Sequence, residues 1–96
     1  MQISEQIKRK RSEIIGIAEK YGARNVRLFG SVARGDSDAG SDIDLLVEFG
    51  PGVTLLKHAA MVRELEALLG CKIDLVSDKG LRPRIRDRVL KEAVPI

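Results

Sequence analysis

Two short segments alternate apolar and polar residues, Ile43-Asp44-Leu45-Leu46-Val47 and Lys72-Ile73-Asp74-Leu75-Val76, and between them lies a stretch with helical apolar spacing. Strand, helix and strand in that order predict two parallel strands joined by a right-handed crossover. Gly50-Pro51-Gly52 breaks the chain after the first segment. Thr54 then opens a helix with Leu55, Ala59, Val62, Leu65 and Leu69 on one stripe, and Gly70 ends it. Side chains alternate along a strand, so Ile43, Leu45, Val47, Ile73 and Leu75 should face the helices. Asp42 and Asp44 on one strand, and Asp74 on its neighbour about 4.8 Å away, then share the opposite face.

Two carboxylates that close repel, and the pKa of one rises unless a cation neutralises them. Oxygen-only ligands suit Mg²⁺, which takes one or two protein carboxylates and completes its shell with water and substrate phosphates. A third carboxylate extends this to a site for one or two ions; in two-metal phosphoryl chemistry the ions sit about 3.5–4 Å apart. Upstream, Val26-Arg27-Leu28-Phe29 reads as another strand, so Gly30-Ser31 falls where that strand hands over to the next element. Such a turn can aim free backbone N–H groups at an anion.

The 96 residues are enough for one modest core. No apolar run approaches the roughly 20 residues of a membrane helix, and no leader segment is expected. A single cysteine, Cys71, excludes an internal disulfide framework, fits a reducing cytoplasm and reads as a packed residue. The net charge of +3 is unevenly laid out: Asp36, Asp38, Asp42, Asp44 and Glu48 cluster centrally between basic flanks, which suits a bound cation together with anionic ligands. Apolar spacing predicts one helix from Ile3 to Tyr21, with Ser4 as N-cap, Gly22 as the closing residue and Lys8-Arg9-Lys10-Arg11 as a solvated face. A last helix follows from Leu81, Ile85 and Val89, with Pro83 in its first turn and Arg82, Arg84, Arg86 and Arg88 around its other sides. His58 has no Cys or second His nearby and is a poor metal candidate.

Gly30-Ser31, ten residues, Asp42-Ile43-Asp44 and a later-strand Asp74 together resemble the polymerase-beta-type nucleotidyltransferase superfamily. The words Leu28-Phe29-Gly30-Ser31-Val32-Ala33-Arg34-Gly35 and Ser41-Asp42-Ile43-Asp44-Leu45-Leu46-Val47 are most similar to the minimal nucleotidyltransferases of HEPN–MNT toxin–antitoxin pairs. That resemblance implies one nucleotidyltransferase domain over residues 1–96, of the α+β class. The order would be αβαβαβα, with a mixed three-stranded sheet and helices mainly on one face. It also implies that Gly30 and Ser31 hold the β- and γ-phosphates of a nucleoside triphosphate and that Asp42 and Asp44 bind Mg²⁺. Asp74 would complete the metal site and help activate an acceptor hydroxyl, and Arg34 would steady the phosphates.

So small a chain has little left to hold an acceptor, so the implied activity borrows its acceptor site from a partner. An antitoxin would transfer AMP from ATP to a tyrosine of its cognate HEPN ribonuclease toxin, within a complex that can be oligomeric. The alternative is an antitoxin that inhibits by binding alone. Few aromatic anchors, 3% of residues, count against a tight static interface. A nucleic-acid module using the arginines of the last helix is the weakest reading, because no aromatic stacking residue or reader motif accompanies them.

Overall fold

Four strands form one sheet in the order β3-β2-β1-β4, with β1 (Ala23–Phe29) antiparallel to both β2 (Ile43–Phe49) and β4 (Val94–Pro95), and β3 (Ile73–Ser77) parallel to β2. The computed structural model describes residues 3–30 and 43–96, which also form helices α1 (Ile3–Arg9), α2 (Arg11–Lys20), α3 (Leu55–Leu69) and α4 (Pro83–Glu92). A single 3₁₀ turn, Asp78–Gly80, follows β3. The α+β class and the mixed sheet are as expected, and β4 adds a short fourth strand to the three anticipated. The short helix expected after the Gly30-Ser31 turn lies outside the described residues.

Ile43, Leu45, Val47, Ile73 and Leu75 are all buried, together with Val26 and Leu28 of β1, Ile14 and Ala18 of α2, and Met61, Leu65 and Leu69 of α3. The expected faces of β2 and β3 therefore hold. Leu46 is fully buried too, although it belongs to the aspartate face of β2 and stands outside the main cluster. Thr54 caps α3, its Oγ1 accepting from the Lys57 N–H at 3.2 Å, and Gly70 closes it at φ 68°, both as read from the sequence.

The apolar stripe of α3 is rotated from the one anticipated. Leu55 is 84% exposed and Ala59 is exposed, whereas Met61, Leu65 and Leu69 are buried. At 3.6 residues per turn, Leu65 points about 80° away from Leu55 and about 120° from Ala59. A face centred on Leu65 therefore leaves both outside it.

The expected single N-terminal helix is interrupted at Lys10, and the helix starts at Ile3, ahead of the anticipated cap Ser4. Lys8 and Arg9 are solvated, but the other two cations of the basic run bind carbonyls. The Lys10 ammonium donates to Leu68 O at 2.7 Å, beside Gln6 Nε2 donating to Leu69 O at 3.1 Å. Both acceptors are in the last turn of α3, where carbonyls lack helical partners and the helix dipole favours a cation. Arg11 Nε donates to Ile96 O at 2.7 Å and so holds the segment after β4. Val94 and Pro95, though exposed, pair with β1, and Ile96 packs against the core.

Lys20 and Tyr21, at the end of α2, meet Glu64 of α3. The Tyr21 hydroxyl and then the Lys20 ammonium, 3.1 Å away, hold Glu64 below the usual carboxylate range. Lys20 is exposed and Glu64 and Tyr21 are half-buried, so the ion pair is largely screened and the cluster orients the two helices more than it stabilises them.

Gly16 is exposed within α2, and a Cβ there would meet nothing within 4 Å. Gly16→Ala is expected to raise stability by about 0.5–1 kcal/mol, read as a higher melting temperature. An unchanged or lower melting temperature would show that the backbone of α2 does not behave as an ordinary helix interior.

Candidate active site

Strand β1 ends at Phe29, and Gly30 follows at φ 74°. Strand β2 starts at Ile43 and presents Asp44 as its second residue, with Ile43 and Leu45 on either side fully buried. Those anchors aim Asp44 away from the core. In register, Asp44 stands opposite Phe29 on one side and beside Asp74 on the other. Gly30, just past the end of β1, and the strand residues Asp44 and Asp74 are thereby gathered at one end of the sheet. Asp44 is half-buried and Asp74 exposed.

Gly30 has no room for a side chain. A Cβ built on it would run into the Asp44 carboxylate, lying 3.0 Å from Cγ and 3.3 Å from Cβ of that residue. Two requirements therefore fall on one position: a left-handed backbone, and a close approach of backbone to carboxylate. The first half of the sequence motif is thus packed against the second.

Ser31, Arg34 and Asp42 lie outside the described residues. Among the described residues no group of three or more His, Cys, Asp or Glu side chains gathers, and Asp44 and Asp74 make a pair. The donor chemistry of that pair fits a hard divalent cation: carboxylate oxygens on adjacent strands, with neither nitrogen nor sulfur, beside a glycine whose backbone comes close to Asp44.

Arg27 joins this face without a motif. It lies two residues before Phe29, hence on the same side of β1, and stands opposite Leu46, two residues beyond Asp44 on β2. Its Nε is buried with no hydrogen-bond partner among the described residues. The alternation of β1 already places it there; only its burial is new. Elsewhere, His58 lies against the Phe49 ring with centroids 5.3 Å apart, at the opposite end of β2 from Asp44. Cys71 is half-buried and packed against the core, as expected. Arg82, just before α4, and Arg84, Arg86 and Arg88 on it are all exposed, and the helix has no buried residue.

Known proteins resemble this chain in sequence and fold. The family model for the nucleotidyltransferase domain matches residues 5–96. A Methanocaldococcus jannaschii protein assigned as a protein adenylyltransferase, MJ0435, is 44% identical over 91 residues, 95% of each chain. Protein adenylyltransferase MntA of Thermococcus cleftensis is 41% identical over 78 residues, 81% of this chain and 79% of that one. A solved structure assigned as a minimal nucleotidyltransferase superposes with a TM-score of 0.89 at 47% identity, covering 100% of this chain and 97% of the other. A toxin–antitoxin crystal structure with AMP-PNP shares the fold, with a TM-score of 0.75 at 21% identity, over 88% of this chain and 69% of that one. No helix among the described residues is long and apolar enough to cross a membrane. With a family model spanning all but its first four residues, and relatives above 40% identity over most of both chains, the chain belongs to the nucleotidyltransferase domain family and is a minimal nucleotidyltransferase of the kind that includes the protein adenylyltransferases.

Proposed function

We propose that this chain is an antitoxin that transfers AMP from ATP to a tyrosine hydroxyl of a cognate HEPN ribonuclease toxin and thereby silences it. The observation that carries the reading is the placement of Gly30 against the Asp44 carboxylate with Asp74 in register beside it. The adenylyltransferase relatives support the reaction, and the toxin–antitoxin structure of the same fold supports the kind of partner.

In this reading residues 1–96 act as one nucleotidyltransferase domain in the cytoplasm. Gly30 and Ser31 hold the β- and γ-phosphates, Arg34 steadies them, and Asp42, Asp44 and Asp74 are the ligands of a two-ion Mg²⁺ site. The metal, when bound, neutralises charge on the phosphate oxygens. Asp74 accepts the proton of the acceptor hydroxyl, whose oxygen forms a bond to the α-phosphorus. The bond from the α-phosphorus to the bridging oxygen breaks, and pyrophosphate is the leaving group. No nucleophilic side chain of this chain is required. The acceptor is held by its own protein, within a complex of the two chains.

The test is the intact mass of the toxin encoded beside this chain after incubation with ATP and Mg²⁺. A gain of one or more AMP units that disappears without ATP, or with EDTA, is expected. A silenced toxin of unchanged mass would overturn the reading in favour of inhibition by binding.

A further inference from the structure

The approach of Gly30 to Asp44 depends on how β1 is threaded against β2, and that threading contains an irregularity. Ala23 and Arg24 stand opposite Phe49 and Glu48, whereas Arg27, Leu28 and Phe29 stand opposite Leu46, Leu45 and Asp44. Two residues of β1, Asn25 and Val26, therefore face one residue of β2, Val47. That is a β-bulge, in which an extra residue shifts the register by one. Asn25 has φ 54° and is the sole non-glycine residue with positive φ among the described residues. A left-handed first residue is the mark of one bulge type, and asparagine tolerates that conformation better than other side chains.

Burial records the same shift. Ala23 and Val26 are both buried and three residues apart, with Arg24 and Asn25 exposed in succession, so the inward phase of the strand changes at Asn25. Beyond the bulge, Val26 and Leu28 face the core while Arg27 and Phe29 share the face of Asp44. Had the register of Ala23 and Arg24 continued, Leu28 would stand opposite Asp44 and Gly30 opposite residue 42. A slip of one residue also exchanges the two faces of a strand. The side chain of Asn25 is held in place, Nδ2 donating to Glu48 Oε1 at 3.2 Å, while Arg24 Nε lies 3.3 Å from the other oxygen of the same carboxylate.

We infer that Asn25 is a positioning residue for nucleotide transfer: its left-handed bulge sets the register that brings the Gly30 turn against Asp44 from five residues away. It touches neither substrate nor the reacting atoms. The inference rests on the reaction proposed above for its catalytic consequence, but its structural half stands by itself.

The test compares Asn25→Gly, Asn25→Ala and Asn25→Val with the native chain. Glycine adopts the bulge freely, alanine at modest strain, and valine resists positive φ. Two readouts are taken on each folded variant. Cross-strand NOEs in the nucleotide-free protein report whether Phe29 or Leu28 lies opposite Asp44, and steady-state kinetics separate kcat from KM for the acceptor. The glycine variant is expected to keep the Phe29–Asp44 pairing and near-native kcat. The valine variant is expected to lose that pairing and at least about 10²-fold in kcat, since an ångström of misplacement already costs that much and a one-residue slip is about 3.3 Å, with KM little changed. The alanine variant should lie between them and keeps the comparison open if the valine variant does not fold. Retention of the Phe29–Asp44 pairing in both the alanine and valine variants would overturn the inference. A shifted pairing with unchanged kcat per folded molecule would overturn its catalytic half. Failure of the native chain to transfer AMP would sink the proposed reaction and leave the register result to be read from the NOEs.

Discussion

Asp44→Asn is expected to reduce transfer of AMP to the toxin by about 10³-fold or more without lowering the melting temperature of the metal-free protein. The loss corresponds to roughly 4 kcal/mol of transition-state stabilisation, the scale expected when a fixed charge at a phosphoryl-transfer site is removed. The stability half has a different origin. Asp44 and Asp74 stand in register on adjacent strands, and like charges facing each other across a sheet cost up to about 1 kcal/mol. An amide removes one of those charges and keeps the shape. Mg²⁺ should raise the melting temperature of the native chain by ligand linkage and have little effect on the variant. A variant that still modifies the toxin at a native rate, or that melts well below the native chain, would show that Asp44 is there for structure.

Gly30→Ala is the second large effect. Alanine at φ 74° is strained by about 1–2 kcal/mol wherever it occurs, and here its Cβ would also press into the Asp44 carboxylate. Gly52→Ala provides the comparison, because Gly52 has φ 84° and a Cβ there would meet nothing within 4 Å. Both variants are expected to lose stability, measured by chemical denaturation, by similar amounts up to the extra cost of the contact. Transfer should fall by about 10²-fold or more in Gly30→Ala and stay near native in Gly52→Ala, since misplacing a reacting group by about an ångström costs that much. Equal activity in the two variants would mean that the approach of Gly30 to Asp44 plays no part in the reaction.

Much of the fold was legible because its signals are local. Thr54 and Gly70 bracket α3, Pro83 opens α4, and the alternation of Ile43, Leu45 and Val47 puts Asp44 on the outer face. Capping, proline geometry and strand alternation are decided within a few residues, so the sequence carries them openly. The stripe of α3 was harder. Leu55 and Leu69 are both leucines at helical spacing, yet the first is 84% exposed and the second 4%. Which apolar residues of a helix are buried depends on where the sheet lies, and periodicity alone does not say.

The basic run of α1 and α2 was opaque for a similar reason. Lys8, Arg9, Lys10 and Arg11 look alike in sequence, but Lys10 reaches Leu68 and Arg11 reaches Ile96, partners 58 and 85 residues away. A carbonyl at the end of a distant helix leaves no mark beside the cation that caps it. The pairing of Val94 and Pro95 with β1 is equally remote from anything two residues can signal.

By itself, the sequence determined strands β1 to β3 and helices α3 and α4, the faces of β2 and β3, and the Gly-Ser and Asp-x-Asp spacing that identified the family. Each of these follows from side-chain chemistry and conformational preference acting over short stretches of the chain. Only the tertiary structure decided the register. The extra residue at Asn25, its left-handed backbone and the resulting contact of Gly30 with Asp44 emerge when β1 is laid against β2, because the phase of one strand relative to another is set by burying both sets of apolar side chains at once.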